Sequence, residues 1–385
     1  MRYQNVCLES IAYTVPDETV TSSQIEARLE PLYRRLRLPE GRLELMSGIA
    51  QRRFWPAGTY PSQISAQTVE KALHLAGVDR GMVGALVHGS VCRDYLEPAT
   101  ACAVHQRLGL AHGCLIYDVS NACLGLLNGL VQVANMIELG QIRAGVVVGT
   151  EDSRALVEST IARLNGDESL TRTDVKLAFA SLTIGSASAA IVLTDRRISR
   201  TGNRLLGGVA RSYTGHCRLC QGGKPGQAEL LMWTDAEALL HEGVRAARVT
   251  YGEFLNHLGW QAGVTKVFSH QVGKAHRKLL LEELGLKLGI DYPSLEQFGN
   301  TGSAALPLTA ALGVEHGHLR QGDRLGLLGI GSGINVLMLG VDWQRSWLDL
   351  AHRPAAQSAG QASDSHPALA ETESSLAVSR PQLRA

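Results

Sequence analysis

The sequence lacks a charge imbalance. Lys and Arg number 37 against 36 Asp and Glu, a formal net charge of +1. No global field therefore favours nucleic acid or an anionic membrane, although a local basic patch would still suit a phosphate or a carrier protein. Long apolar runs are also missing. The opening residues, "MRYQNVCLESIAYTVP", hold no apolar core of signal-peptide length. Nor does any stretch approach the roughly 20 apolar residues of a spanning helix. The expected compartment is the cytoplasm. Seven cysteines, at 7, 92, 102, 114, 123, 217 and 220, make an odd set without a secretion signal. That argues against a disulfide framework and makes free, mostly buried thiols the default. Aromatics are sparse at 5%. In their place stand 45% hydrophobic residues and 41 glycines, the texture of a well-patterned globular chain with many tight turns. At 385 residues the chain is long enough for two domains or one large duplicated fold.

Hydrophobic spacing divides the chain into elements. Helices are predicted at 21–38, broken near Pro31, and at 62–78, 100–110 and 124–140, the last apolar on most faces and therefore central. Strands are predicted at 84–91, 114–120, 144–151 and 186–195. The second half repeats this grammar: helix 235–260, strand then loop over 266–273, helix 274–285, a small-residue helix 300–317, and two strands around a glycine turn over 324–343. Alternating strands and helices imply an α/β protein with largely parallel sheets. Residues 152–185 form a long insertion between two strands, polar early, of the kind used for lids and binding loops. The expected organisation is an N-terminal half at 1–200, a C-terminal half at 201–350, and a disordered tail at 351–385 rich in Ala, Ser, Gln and Pro.

Four short stretches carry candidate chemistry. In "DVSNACLG", Cys123 lies where a strand turns sharply into a helix. A helix N-terminus favours the thiolate, which is the nucleophilic form, yet a small packing cysteine fits the same junction. His270, in "SHQVG", follows a strand and so sits where α/β sites form, or is a satisfied loop histidine. Asn300, in "FGNTG", suits a site or an ordinary turn. "GIGSGIN" (329–335) is followed by a strand rather than the helix a dinucleotide loop needs, so a turn offering the Ser332 backbone N–H fits better. The "HCRLC" stretch offers His216, Cys217 and Cys220, with no second ligand pair nearby, and a metal site is not the expectation.

In this order, cysteine, histidine, asparagine and closing Gly-Ser-Gly turn resemble the thiolase superfamily, and along most of 1–343 the β-ketoacyl-acyl-carrier-protein synthase III family. The resemblance implies a thiolase-like duplicated αβαβα five-layer fold, a homodimer, and catalytic Cys123, His270 and Asn300. Two further segments, "SVCRDYLEPATA" (90–101) and "GIAQRRFW" (48–55), resemble the OleA type, which joins two long-chain acyl-CoA molecules head to head. In that branch a glutamate of the "DYLEP" segment acts as a base across the dimer, and Glu97 matches it. There are departures. Synthase III usually reads His-Gln-Ala-Asn, where this chain has His270-Gln271-Val272-Gly273. The Trp and Arg that clamp the coenzyme A adenine are absent, with Arg42 and Met46 in that region, so the coenzyme A contacts stay unassigned.

The resemblance implies acyltransferase chemistry, a thioester Claisen condensation through an acyl-Cys123 intermediate. Backbone N–H groups of Cys123 and Ser332 would form the oxyanion donors, each worth on the order of 3 kcal/mol. No cofactor is expected beyond coenzyme A or acyl-carrier thioesters as substrates. The expected partners are long-chain acyl-CoA, a second copy of the chain, and downstream lipid-modifying enzymes or an acyl carrier protein, with no nucleic acid. Two alternatives stay open: a decarboxylative synthase III of fatty acid biosynthesis using a malonyl carrier, and a non-catalytic thiolase-fold subunit, which would be expected to have lost its nucleophile.

Overall fold

The computed structural model describes residues 1–223 and 230–351. The expected tail, 351–385, lies outside the described residues apart from its first position. Nine strands form the main sheet: β1 (Val6–Thr14), β2 (Val83–Gly89), β3 (Leu115–Val119), β4 (Ala144–Glu151), β5 (Ala187–Asp195), β6 (Arg204–Ser212), β7 (Lys266–Ser269), β8 (Arg324–Gly331) and β9 (Asn335–Asp342). They hydrogen-bond in the order β7-β8-β9-β6-β1-β5-β4-β2-β3. The two halves meet between β1 and β6, where the register is one pair, Cys7 with Arg204.

Main-chain alternation sends successive side chains to opposite faces, and the buried clusters follow it. Val147 of β4, Ile191 of β5, Leu327 of β8 and Leu339 of β9 pack with the central helices α3 (Gly125–Glu138) and α8 (Ala305–Glu315). Their neighbours Val146, Val148 and Val192 face outward onto α1 (Pro61–Ala76) and α2 (Thr100–Leu108). On the far side, Leu328, Val336 and Met338 face α6 (Ala236–Leu258) and α7 (Lys274–Glu283). The layer order is therefore α–β–α–β–α. Helix α8 is buried along Ala305–Val314, which fits a helix with protein on all sides.

Two expectations change. The sheet is mixed, not largely parallel: β2 runs parallel to β3 and β4, and β7 to β8, while the β4–β5, β5–β1, β8–β9 and β9–β6 ladders are antiparallel. Alternation of helix and strand misleads here because β8 and β9 join by a short turn, which requires antiparallel pairing. The insertion 152–185 is helical, with α4 (Arg154–Gly166) and α5 (Arg172–Ala178) preceding a 3-10 turn at Phe179–Thr183. Its Val157, Ile161 and Leu164 pack with Ile25 and Leu32 of the helices at Ser22–Arg28 and Glu30–Leu36 and with Leu29 between them.

Candidate active site

Parallel pairing puts the C-terminal ends of β2, β3 and β4 at one end of the N-terminal half, and those of β7 and β8 together in the other. Cys123 follows β3. Its predecessor Ala122 has φ 45, a left-handed conformation that is costly for a residue with a side chain. The chain thus turns sharply before α3 begins at Gly125. Three glycines let this elbow sit on the sheet. A Cβ at Gly89 would lie 2.6 Å from the Gly125 carbonyl oxygen, one at Gly125 3.1 Å from the Gly89 carbonyl carbon, and one at Gly149 2.5 Å from the Gly89 oxygen.

The turn between β8 and β9 reaches the same place from the other half. A Cβ at Gly331 would stand 3.6 Å from the backbone nitrogens of Cys123 and Leu124. Asn335 Nδ2 donates to Asn121 Oδ1 (3.2 Å) and to the Ser332 carbonyl (3.2 Å), and Asn121 Nδ2 donates to Asn128 Oδ1 (2.7 Å). A chain of amides thereby ties the Ser332 turn, the elbow and α3 into one unit.

At Cys123 burial opposes the expected helix-start activation. Burial pushes its thiol up to about 12, and the thiol of Cys220 and the carboxylate of Glu151 push the same way. The backbone N–H groups of Cys123 and Ser332 pull downward. These are the two donors named from sequence, and they lie at the sulfur. Helix α3 starts at Gly125, so Cys123 lies just ahead of its first turn, and burial is the largest influence on the thiol.

His270 follows β7, and its N–H donates to the Leu328 carbonyl of β8 (3.0 Å). The residue is buried with both ring nitrogens unpartnered. Burial, and secondarily the nearby His276, lowers it to about 3, so the imidazole is neutral. His276 is itself lowered to about 4 by burial. Asn300 is held by its backbone, its N–H donating to the Thr183 carbonyl (3.1 Å) and its carbonyl accepting from Gly185 N–H (3.0 Å). Its Oδ1 accepts from Gly302 N–H (3.0 Å). Glycines are required where these segments cross: a Cβ at Gly185 would lie 2.1 Å from the Phe298 oxygen.

Glu97 stands apart. It is exposed on the loop between β2 and α2, beside exposed Val91, Tyr95 and Leu96. A single chain leaves it facing outward while Cys123, His270 and Asn300 are buried or half-buried. Cys217 is exposed, Cys220 accepts from the Thr234 hydroxyl (3.4 Å), and His216 pairs with Glu242 (3.5 Å). Sequence reasoning missed Glu151, Asn121, Asn335 and Ser303. Glu151 ends a β-rich run at a strand's C-terminal end, the same signal that marked His270. Nothing local marks the others.

A half-buried cysteine on a strained elbow, with backbone donors from both halves of a doubled αβαβα core, defines a condensing enzyme of the thiolase class. Residues 52–194 match the thiolase N-terminal domain family, and residues 255–343 match the C-terminal family of 3-oxoacyl-acyl-carrier-protein synthase III. The acyl-CoA:acyl-CoA alkyltransferase of Shewanella oneidensis is 42% identical over 89% of this chain and 100% of its own. That of Xanthomonas campestris pv. campestris is 35% identical, again over 89% and 100%. The chain belongs to this acyl-CoA:acyl-CoA alkyltransferase family, the OleA type. Crystal structures of Xanthomonas campestris OleA superpose with a TM-score of 0.84 at 34% identity, and one of them, covering 89% of this chain and 100% of its own, holds lauric acid and lauroyl-CoA. Other structures of that protein carry substitutions of a cysteine, a glutamate and a histidine. Its substituted glutamate and cysteine stand as far apart in sequence as Glu97 and Cys123 do here. A β-ketoacyl-acyl-carrier-protein synthase III of Neisseria meningitidis is 24% identical over 74% of this chain.

Proposed function

We propose that the enzyme joins two fatty acyl-CoA molecules head to head, with Cys123 as nucleophile, His270 and Asn300 as carbonyl ligands, and Glu97 of the partner subunit as base. In the first half, the Cys123 sulfur attacks the thioester carbonyl. The C–S bond to coenzyme A breaks, and the departing thiolate takes the proton that Cys123 gives up. One thiol replaces another, so the step balances without a metal or a redox group. The tetrahedral oxyanion meets the Cys123 and Ser332 N–H groups.

In the second half, another acyl-CoA places its thioester carbonyl against His270 and Asn300. A neutral imidazole donates through one ring nitrogen, and the Asn300 amide Nδ2 has no acceptor among the described residues. Glu97 removes a proton from the α-carbon, and the enolate attacks acyl-Cys123. The new C–C bond forms, the C–S bond to Cys123 breaks, the departing Cys123 sulfur takes up the proton that Glu97 removed, and a β-ketoacyl thioester results, released as such or as the acid after hydrolysis.

The observation that carries this reading is the seating of the Ser332 turn on the Cys123 elbow, a Cβ at Gly331 standing 3.6 Å from the Cys123 nitrogen, which brings the Cys123 and Ser332 N–H groups to the sulfur. Homodimer formation is part of the proposal. Strand β3 is a sheet edge bearing Leu115, Ile116, Tyr117 and Val119, with Leu115 51% exposed, and an apolar edge of this kind favours pairing with a second copy. An enzyme acting on coenzyme A thioesters in this way is proposed to work in the cytoplasm. Among the described residues no helix is long and apolar enough to cross a membrane.

The test is incubation with myristoyl-CoA alone, followed by mass spectrometry of the products. A β-keto product of doubled chain length is expected, and Glu97→Ala should retain acyl-Cys123 but form no C–C bond. Condensation that appears only when a malonyl thioester is added would replace this reading with the decarboxylative one.

A further inference from the structure

Beside the site stands a buried carboxylate that the mechanism does not use. Glu151, the last residue of β4, is 6% exposed. Its Oε1 accepts from Val91 N–H (3.2 Å), Ser303 N–H (3.2 Å) and the Ser303 hydroxyl, and its Oε2 accepts from Cys92 N–H (3.3 Å). A buried carboxylate requires partners of this kind, since it can only accept. Its own place is fixed by the β4–β5 ladder, opposite Ala187, and by Trp55 Nε1 donating to its carbonyl (3.0 Å).

The donors come from two segments. Val91 and Cys92 begin the loop that displays Glu97. Ser90 adds a hydroxyl bond to the Thr150 carbonyl (2.8 Å), and Asp152 N–H donates to the Cys92 sulfur (3.3 Å). Ser303 lies in the turn after Asn300. Within it, Gly302 N–H donates to Asn300 Oδ1, and a Cβ at Gly302 would lie 3.1 Å from Glu151 Cγ. The carboxylate is thus wedged between the root of the Glu97 loop and the turn that shapes Asn300. The donors for acylation are held separately, by the Asn128–Asn121–Asn335 amides.

We infer that Glu151 is a positioning residue for the condensation half of the reaction, setting both the Glu97 loop and the Asn300 turn while acylation depends on the amide network. This rests on the proposed function, in which Glu97 and Asn300 act only on the second acyl-CoA.

The atoms allow a selective test. In Glu151→Gln the volume is kept. With its oxygen toward Ser303, the amide nitrogen takes the place of Oε2 and confronts the Cys92 N–H, donor against donor. Ser303→Ala removes the hydroxyl bond alone. Each variant, with Asn335→Ala for contrast, is assayed for acyl-Cys123 formation in a single turnover and for β-keto product per acyl-enzyme. Glu151→Gln is expected to keep acylation within about threefold and to lower condensation by about tenfold or more, so that acyl-enzyme accumulates. Ser303→Ala should shift the same ratio less, and Asn335→Ala should slow acylation instead. Equal loss of both halves in Glu151→Gln and Ser303→Ala, or loss of neither, would show a carboxylate that merely supports the fold. Should Glu151→Gln not fold, the Ser303→Ala ratio decides. If the wild type forms acyl-Cys123 yet makes no condensed product from one acyl-CoA, the functional reading fails and takes this inference with it. A condensing wild type with unselective variants removes the inference alone.

Discussion

A thiol held near 12 carries almost no thiolate at neutral pH, so Cys123 gains its reactivity from where the carbonyl is placed and not from a standing negative charge. Alkylation of Cys123 by iodoacetamide, which has no thioester carbonyl to place, should therefore be slow at pH 7 and still rising at pH 9.5. A plateau near the ordinary cysteine range, about 8.5, would show that the N–H donors outweigh burial. His270 and His276 make a second prediction. Their folded values, about 3 and about 4, lie below the ordinary 6.5. As pH falls below 6.5 the unfolded chain binds protons that the folded chain refuses, so stability drops on acidification toward those values. Urea denaturation at pH 7 and pH 5 should show this loss, and a His270→Asn, His276→Asn double variant should lose less over the same interval. An unchanged slope would mean that neither ring is held neutral. Of the four residues proposed for the reaction, Cys123, His270 and Asn300 were legible because each falls at a strand end or in a turn, in a fixed order along the chain, whereas Glu97 was legible only through the resemblance of its "DYLEP" segment. Glu151 shares the strand-end signal, but its partners Ser303, Val91 and Cys92 lie far along the chain, and no local spacing records them.

Elements that follow one period were read to within a few residues, including α1, α3, β4, α6 and the β8–β9 pair. Those missed break the period for a long-range reason. In β1, Glu9 interrupts the apolar pattern, yet it is 1% exposed and its carboxylate accepts from the hydroxyls of Thr194 and Ser199 and the N–H groups of Arg200 and Thr201. Strand β6 contains Gly207 and Gly208, which argue against a strand until the fold shows that a Cβ at Gly208 would lie 1.9 Å from the Met338 carbonyl oxygen. The elbow beneath Cys123 depends on the same kind of approach. Gly89→Ala sets a methyl against the Gly125 carbonyl and the Leu126 Cα, both backbone, so neither yields cheaply. It should destabilise the protein by about 2 kcal/mol in chemical denaturation and slow acylation. Full stability in this variant would mean that α3 is free to ride outward. The amide tie differs because it spans two elements without filling space. Asn335→Ala should leave the denaturation midpoint near wild type and cut the burst of coenzyme A release by about tenfold, since the Ser332 N–H loses its fixed aim. An unaffected burst would place the oxyanion donor elsewhere.

At the scale of the whole molecule the question is which Glu97 serves which Cys123. Within one chain Glu97 is exposed on a loop whose Leu96 is 94% exposed, whereas Cys123 is half-buried at the end of β3. Strand β3 is also one of the two edges of the sheet. Pairing two copies there would bring the loop of each toward the elbow of the other, and two-fold symmetry would make the exchange mutual. Such an exchange can be separated from action within one chain by mixing defects. In a dimer of one Cys123→Ala chain and one Glu97→Ala chain, exchange gives one site with both defects and one with none. Action within the chain gives each site one defect and leaves no complete site. Co-expression with two different tags and purification over both resins isolates the mixed dimer. Exchange predicts about half of wild-type condensation from it, against background activity from either homodimer. Acylation at the intact Cys123 is the internal control, because it should survive in both arrangements. A mixed dimer that acylates normally yet forms no C–C bond would return Glu97 to its own chain. Leu115→Asp on the β3 edge bears on the same point by charging the proposed seam. It should lower the mass seen in sedimentation and lower condensation in step with it, while acyl-Cys123 still forms. A monomeric Leu115→Asp protein that condenses at the wild-type rate would make a complete site of a single chain.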